Sequence, residues 1–141
     1  MSDPQDLTGV WYGRYTADQD HQDNGFIALL EELHGAVTGT ISEPDEGSGG
    51  IRRASVRGAR DGASLSFTKQ YDGSGGWTHS VDYAGNIDAD GTLVMGGWVV
   101  EGFTGAFDMA ANSGSWCTVP GFFAWYFAIV SGSAYVSSCT A

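Results

Sequence analysis

Two stretches of this chain gather residue types that could hold a ligand or an ion. The first carries Arg52, Arg53, Arg57 and Arg60, four of the six basic residues in the chain. Guanidinium groups bind carboxylates through planar, paired hydrogen bonds, so an arginine aimed into an interior would draw an anionic ligand. On a strand, Arg52 and Arg60 share one face while Arg53 and Arg57 share the other. The alternative is pairing with acidic neighbours such as Glu31, Glu32 or Glu101 across a sheet. The second stretch runs from Asp20 to Glu31 and comes close to a calcium-loop spacing: Asp20 first, Asn24 fifth, Gly25 sixth, Ile27 eighth and Glu31 twelfth. Gln22 stands where a third-position carboxylate or amide belongs, and residues 8–16 before it alternate as a strand does, not as an entering helix. The stretch therefore reads as a solvated acidic hairpin loop, with His21 beside Asp18, Asp20 and Asp23 open to adventitious metal capture. His34, ahead of a Gly35 turn, is expected to be exposed. Nucleophilic catalysis lacks its signatures: there is no Gly-x-Ser-x-Gly elbow, Cys117 has no histidine near it in sequence, and no carboxylate pair marks an acid and a base. No catalytic residue, metal ligand or cofactor is assigned.

Composition narrows the field further. A length of 141 residues suits one domain with a real core, and an aromatic content of 13% argues against disorder. Glycine is abundant at 22 residues against three prolines, so the turns are glycine-made, as in hairpins. A formal charge of −11 excludes a nucleic-acid binder, which needs a basic face, and disfavours anionic membranes. The first six residues show neither a basic start nor an apolar core, so a cytoplasmic, bacterial location is expected. Cys117 and Cys139 can pair or remain free buried thiols.

The elements that would position these residues are eight strand-like runs, at 8–16, 25–32, 36–43, 51–60, 63–71, 78–88, 92–101 and 103–110. Several alternate with period two: Leu65, Phe67 and Tyr71 oppose Ser64, Ser66, Thr68 and Gln70, and Val81, Tyr83 and Ile87 oppose Ser80, Asp82 and Asn86. Asp61-Gly62, Asp90-Gly91 and Glu101-Gly102 supply the positive-φ residue that tight turns require. The Gly/Ser-rich stretches 44–50 and 72–76 read as loops at one mouth of a barrel. Only 26–33 shows any helical periodicity. Eight antiparallel strands in a meander close into a small up-and-down barrel, which has no free edge and encloses a ligand-sized interior. The fold expected is all-β, with residues 1–111 as the barrel domain.

Residues 112–141 form an uncharged apolar C-terminal extension. From Met109 onward there is no Asp, Glu, Lys or Arg, and residues 122–130 are continuously apolar. Nine residues are too short to span a bilayer. The extension reads as a buried strand or subunit interface, with a segment lying in the barrel mouth and a non-native tail as alternatives. An exposed apolar patch of that size is costly for a monomer, so a homo-oligomer joined through residues 116–130 is expected. Removing 112–141 and finding the mass by light scattering unchanged would defeat that expectation.

Leu7-Thr8-Gly9-Val10-Trp11-Tyr12 carries the Gly-x-Trp opening shared by lipocalin-like and avidin-like (calycin) barrels. The order of the later strands strengthens the likeness. Residues 36–42 (AVTGTIS) resemble the third strand of avidins and 56–61 (VRGARD) the fourth; 80–85 (SVDYAG) resemble the sixth and 93–98 (LVMGGW) the seventh. The resemblance covers about residues 7–110 and implies an eight-stranded barrel with a ligand site at its open end. It does not extend to biotin. Where avidins place a polar Asn after the opening aromatic pair, this chain has Gly13; the neighbouring serine donor falls at Ala17, the third-strand tyrosine at Ile41 and the nearby serine at Glu43. Trp98 is kept, while the final-strand Asp has no clear counterpart. A site built on hydrogen bonds loses most of its affinity without those partners.

With Trp11 inward, as the resemblance implies, alternation turns Gly13, Tyr15, Ile41, Glu43, Val56, Phe67, Lys69, Tyr71, His79, Val81, Tyr83, Trp98 and Phe107 inward as well. That is an aromatic cavity with a few polar groups, the composition of a small-molecule site; the alternative is that the aromatics merely fill the barrel and the charges sit at its rim. The function expected is a binding barrel for an aromatic or amphipathic molecule, with Tyr15, Tyr71, Tyr83 and Trp98 as walls and Glu43, Lys69 and His79 orienting the ligand. Two alternatives stand beside it: a small β-barrel cyclase or isomerase using the same cavity, with His79 or Glu43 as its acid or base, and a structural self-assembly module.

Overall fold

A computed structural model describes residues 3–19, 23–45 and 47–112. They form β1 (Gly9–Ala17), β2 (Asp23–Leu33), β3 (Ala36–Asp45), β4 (Gly50–Asp61), β5 (Ser64–Tyr71), β6 (Ser80–Ile87), β7 (Leu93–Val100) and β8 (Phe103–Ala111), with one short 3-10 turn, Ser74–Gly76, between β5 and β6. Each strand pairs antiparallel with the next, and β8 returns to β1 in the register Trp11↔Ala111 to Ala17↔Gly105, closing the barrel in simple chain order. All eight expected runs are strands. The stretch 26–33 belongs to β2: Phe26, Ala28 and Leu30 point in while Ile27, Leu29 and Leu33 point out. Its apparent helical period arises because apolar residues occupy both faces of that strand. The same strand takes up residues 23–31 of the calcium-like stretch, so these residues have no loop geometry to offer a cation. The expectations for Cys117, Cys139, His21 and the apolar extension lie outside the described residues.

The links β2–β3, β4–β5 and β6–β7 lie at one end, which is closed. His34 and Gly35 both take positive φ (51° and 84°), the pair that a two-residue hairpin turn demands, and His34 is exposed. The N-terminal segment crosses this end. Leu7 is buried there, and the Trp11 indole N–H donates to the Leu7 carbonyl at 2.8 Å. The Gln5 amide donates to the carbonyls of Ile87 and Asp88. Arg60 donates from Nε to Glu32 Oε1 at 2.6 Å and also pairs with Asp3. Arg60 thus meets an acidic residue through the closed end of the barrel, since β3 lies between β4 and β2. Arg14 makes the cross-strand kind of pair, with Asp108 of β8 at 3.1 Å.

Midway along the barrel the core is aromatic. Phe67 and Tyr83 stack with centroids 4.8 Å apart and planes 4° from parallel, and Phe107 meets both edge-on. Face-to-edge and offset contacts of this kind satisfy the ring quadrupoles and fix the rings against one another. That layer separates the closed end from the open one.

Candidate functional site

Above the aromatic layer sits a buried ionic cluster. Glu43 of β3 and Lys69 of β5 are only 2% and 1% exposed. Lys69 Nζ donates to Glu43 Oε2 at 2.7 Å. The other carboxylate oxygen accepts three bonds: from the Tyr71 hydroxyl at 2.6 Å, from Arg52 Nε at 3.1 Å and from the Tyr15 hydroxyl at 3.3 Å. Four donors on one carboxylate compensate much of the desolvation that burial imposes on an ion. The lysine ammonium also lies 4.6 to 5.9 Å from the ring centres of Tyr71, Tyr15 and Tyr83, facing the negative quadrupoles of three phenols. Each member is placed by strand alternation: Arg52, Ala54 and Val56 point inward along β4, and Phe67, Lys69 and Tyr71 along β5.

The low-dielectric surroundings shift the three phenols around Lys69 the same way. Burial, reinforced by the nearby Glu43 charge, pushes the Tyr15 hydroxyl up to about 12. Burial likewise raises Tyr71, with the charge of a neighbouring Tyr15 phenolate adding to it, and holds Tyr83 well above the ordinary range. Lys69 moves the other way: desolvation of its ammonium lowers it, more than the Glu43 charge restores.

Over this cluster opens a half-enclosed cavity of about 360 Å³ at the mouth of the barrel. Tyr15, Tyr71, Trp77, Tyr83, Trp98 and Phe103 give it aromatic walls, with Asp45, Arg52, Asn24 and His79 among the polar groups. The β5–β6 link forms one lip. It is fastened down: Ser74 Oγ accepts from the Arg53 N–H, Asp72 N–H donates to the Arg53 carbonyl, and the Gln70 amide reaches the Thr78 carbonyl. Trp77, just after the 3-10 turn in that link, lays its ring under the Arg52 guanidinium, 3.8 Å from centroid to Cζ. Trp98 is held on the opposite side by its indole N–H, which donates to the Thr16 carbonyl.

Of the residues expected to form the site, Tyr15, Tyr71, Tyr83 and Trp98 line the cavity, while Glu43 and Lys69 lie beneath it, behind the phenols. These two charges therefore lie below the rim, while Arg52 and Asp45 line the cavity above them. His79 lies in the β5–β6 link, one residue before β6 begins, and is exposed; its ring faces the mouth, 4.9 Å from that of Tyr71 and 5.3 Å from that of Trp77. Its backbone carbonyl, bonded to the Tyr71 N–H, marks where the ladder stops. Of the four arginines, Arg52 is the inward one at the site, already paired with Glu43 and with Asp45 at 3.4 Å. Trp77 was not singled out by its sequence. The available signal was a large apolar residue directly after a glycine-rich loop, where nothing else requires one.

The position at which the avidin likeness places a polar side chain is filled. A Cβ on Gly13 would run into the ring of Phe26, so that corner of the interior is occupied by an aromatic in place of a hydrogen-bonding group.

No protein-family model matches the chain, and no curated protein matches it in sequence. Among solved structures the barrel is similar to a redesigned β-barrel (TM-score 0.67, 12% identity, covering 78% of this chain and 95% of that one). It is also similar to a de novo designed fluorescence-activating β-barrel (TM-score 0.58, 12% identity, 79% and 100%). A third similar structure is mFAP1, a redesigned barrel bound to DFHBI (TM-score 0.62, 11% identity, 79% and 100%). At such identities the likeness is one of fold.

Proposed function

We propose that this protein is a small-molecule-binding barrel whose ligand is a flat aromatic or amphipathic compound. One observation carries the reading: the barrel is stoppered at one end and open at the other into a cavity walled by six aromatic rings, with a few polar groups at its lip. Sites for small organic ligands have that balance of apolar wall and sparse polar contact. Support comes from two designed neighbours of the same fold, one described as fluorescence-activating and one bound to DFHBI. The apolar part of the ligand would enter between Tyr71 and Trp98, leaving its polar end near Arg52, Asp45 and Asn24.

Tryptophan emission is the readout, because Trp77 and Trp98 both face the cavity. Titration with a panel of flat aromatics, DFHBI included, should give saturable quenching by at least one member. Tyr71→Ala should weaken binding about tenfold, the scale of one lost aromatic contact. Absence of saturable quenching across neutral, anionic and cationic panel members would sink the proposal.

A further inference from the structure

Lys69 is the only lysine in the 141-residue chain, and it is buried beneath the cavity, behind the phenols that line it. A soluble protein ordinarily keeps lysines on its surface, where the ammonium stays hydrated. Here every surface cation among the described residues is an arginine, and the single amine side chain is placed behind the ligand cavity with a carboxylate at 2.7 Å. A structural ion pair alone does not call for an amine there, since Arg52 already pairs with the same carboxylate.

Resting on the binding reading above, we propose that Lys69 is a covalent attachment site that captures an aromatic aldehyde as an imine. The chemistry balances within the cluster. The Lys69 ammonium passes a proton to the Glu43 carboxylate, leaving a neutral amine and a carboxylic acid. The amine nitrogen adds to the aldehyde carbon, and a proton shift from nitrogen to oxygen gives the carbinolamine. Glu43 returns its proton to the departing hydroxyl, the C–O bond breaks, and water leaves. The product is an iminium on Nζ beside an ionised Glu43, so the ion pair that existed before capture exists again after it. Arg52 and the hydroxyls of Tyr15 and Tyr71 hold the carboxylate in place throughout. Desolvation, which lowers the affinity of Lys69 for its proton, favours the neutral nucleophile that the first step needs.

One aromatic layer stands between the amine and the cavity. Tyr71 is fastened to Glu43 by a 2.6 Å bond, whereas Tyr15 holds the same oxygen at 3.3 Å and is the less buried of the two. Tyr15 is therefore the ring that swings to admit the carbonyl.

The test uses the full chain, 2-naphthaldehyde and sodium cyanoborohydride, with intact mass and fragment mapping after an Asp-specific digest. 2-Naphthalenemethanol, which has the same ring and no carbonyl, serves as the control in tryptophan quenching. The expected result is one reduced adduct on Lys69, formed faster than on an acetylated peptide of the β5 sequence Ser64–Tyr71, absent in Lys69→Met and accelerated in Tyr15→Ala. Glu43→Gln should slow capture by about a hundredfold, the lower end of general acid–base effects. Should Glu43→Gln not fold, the Tyr15→Ala rate and the peptide comparison still decide the matter. Quenching by the alcohol with adduct only at the N-terminal amine, or a Lys69 rate no higher than the peptide's, overturns capture and leaves the binding reading intact. Failure of both quenching and labelling overturns both.

Discussion

At the scale of single residues, the behaviour of this barrel turns on Glu43, which accepts from two cations and two phenols. Removing one partner of a buried pair costs more than replacing both, because the survivor is left charged without compensation. The two partners are not equivalent. Lys69→Met leaves Glu43 with Arg52 and both hydroxyls, whereas Glu43→Gln leaves two cations facing each other. We therefore expect Glu43→Gln to cost about 3–5 kcal/mol in urea unfolding, Lys69→Met less, and the double variant less than the two summed. Additive costs would show that the pair does not couple. The phenols make a second prediction. Tyr15 is raised from 10.0 to about 12 in the folded protein, so its neutral form is favoured by folding. That contribution is whole below pH 10, the unfolded value, and is lost as pH rises through about 12. Tyr71 and Tyr83 are raised in the same direction and add to the trend. The urea midpoint should fall steeply on the alkaline side, and Tyr15→Phe should make that fall shallower; an unchanged slope would contradict the assignment.

At the scale of elements, the strands were readable because alternation of apolar and polar residues is the direct imprint of a half-buried strand. β5 shows this best, with Leu65, Phe67, Lys69 and Tyr71 all buried and the residues between them exposed. β2 was harder, since Ile27, Leu29 and Leu33 are apolar on the solvent face and blur the period. The inward positions were legible where they lie on strands: Tyr15, Glu43, Lys69, Tyr71, Tyr83 and Trp98 follow from alternation once Trp11 is taken as inward, as the barrel resemblance implies. The site was not legible in the β5–β6 link, where the placement of Trp77 and the exposure of His79 depend on bonds between Ser74, Asp72 and β4 that no local pattern announces. Nor could sequence tell that Glu43 and Lys69 meet, because that depends on which side chains reach across the interior. Gly13 offers a prediction at this scale. Its missing side chain makes room for Phe26, so Gly13→Asn should overpack β1 against β2 and cost about 1–3 kcal/mol in thermal unfolding, with no gain in biotin binding. A variant as stable as the parent would show that Phe26 can move aside.

At the scale of the whole molecule, the two ends of the barrel divide the labour. The closed end is sealed by Leu7, Trp11 and the Arg60–Glu32 pair, while the mouth is given over to the cavity. The hydrogen-bonded ladder runs from β1 through β8 and back to β1 without a break, and the Asn112 N–H donates to the Val10 carbonyl, so the last described residue lies beside the first strand. Such a ring of strands has no first member except by the accident of where translation starts. A circular permutant that joins Asn112 to Asp6 by a short glycine linker and opens instead at the exposed Gly62 turn should retain its β-sheet circular dichroism and whatever tryptophan quenching the uncut chain gives with the aromatic panel. Collapse of that permutant would mean that the order in which the strands arrive matters as much as the ring they complete.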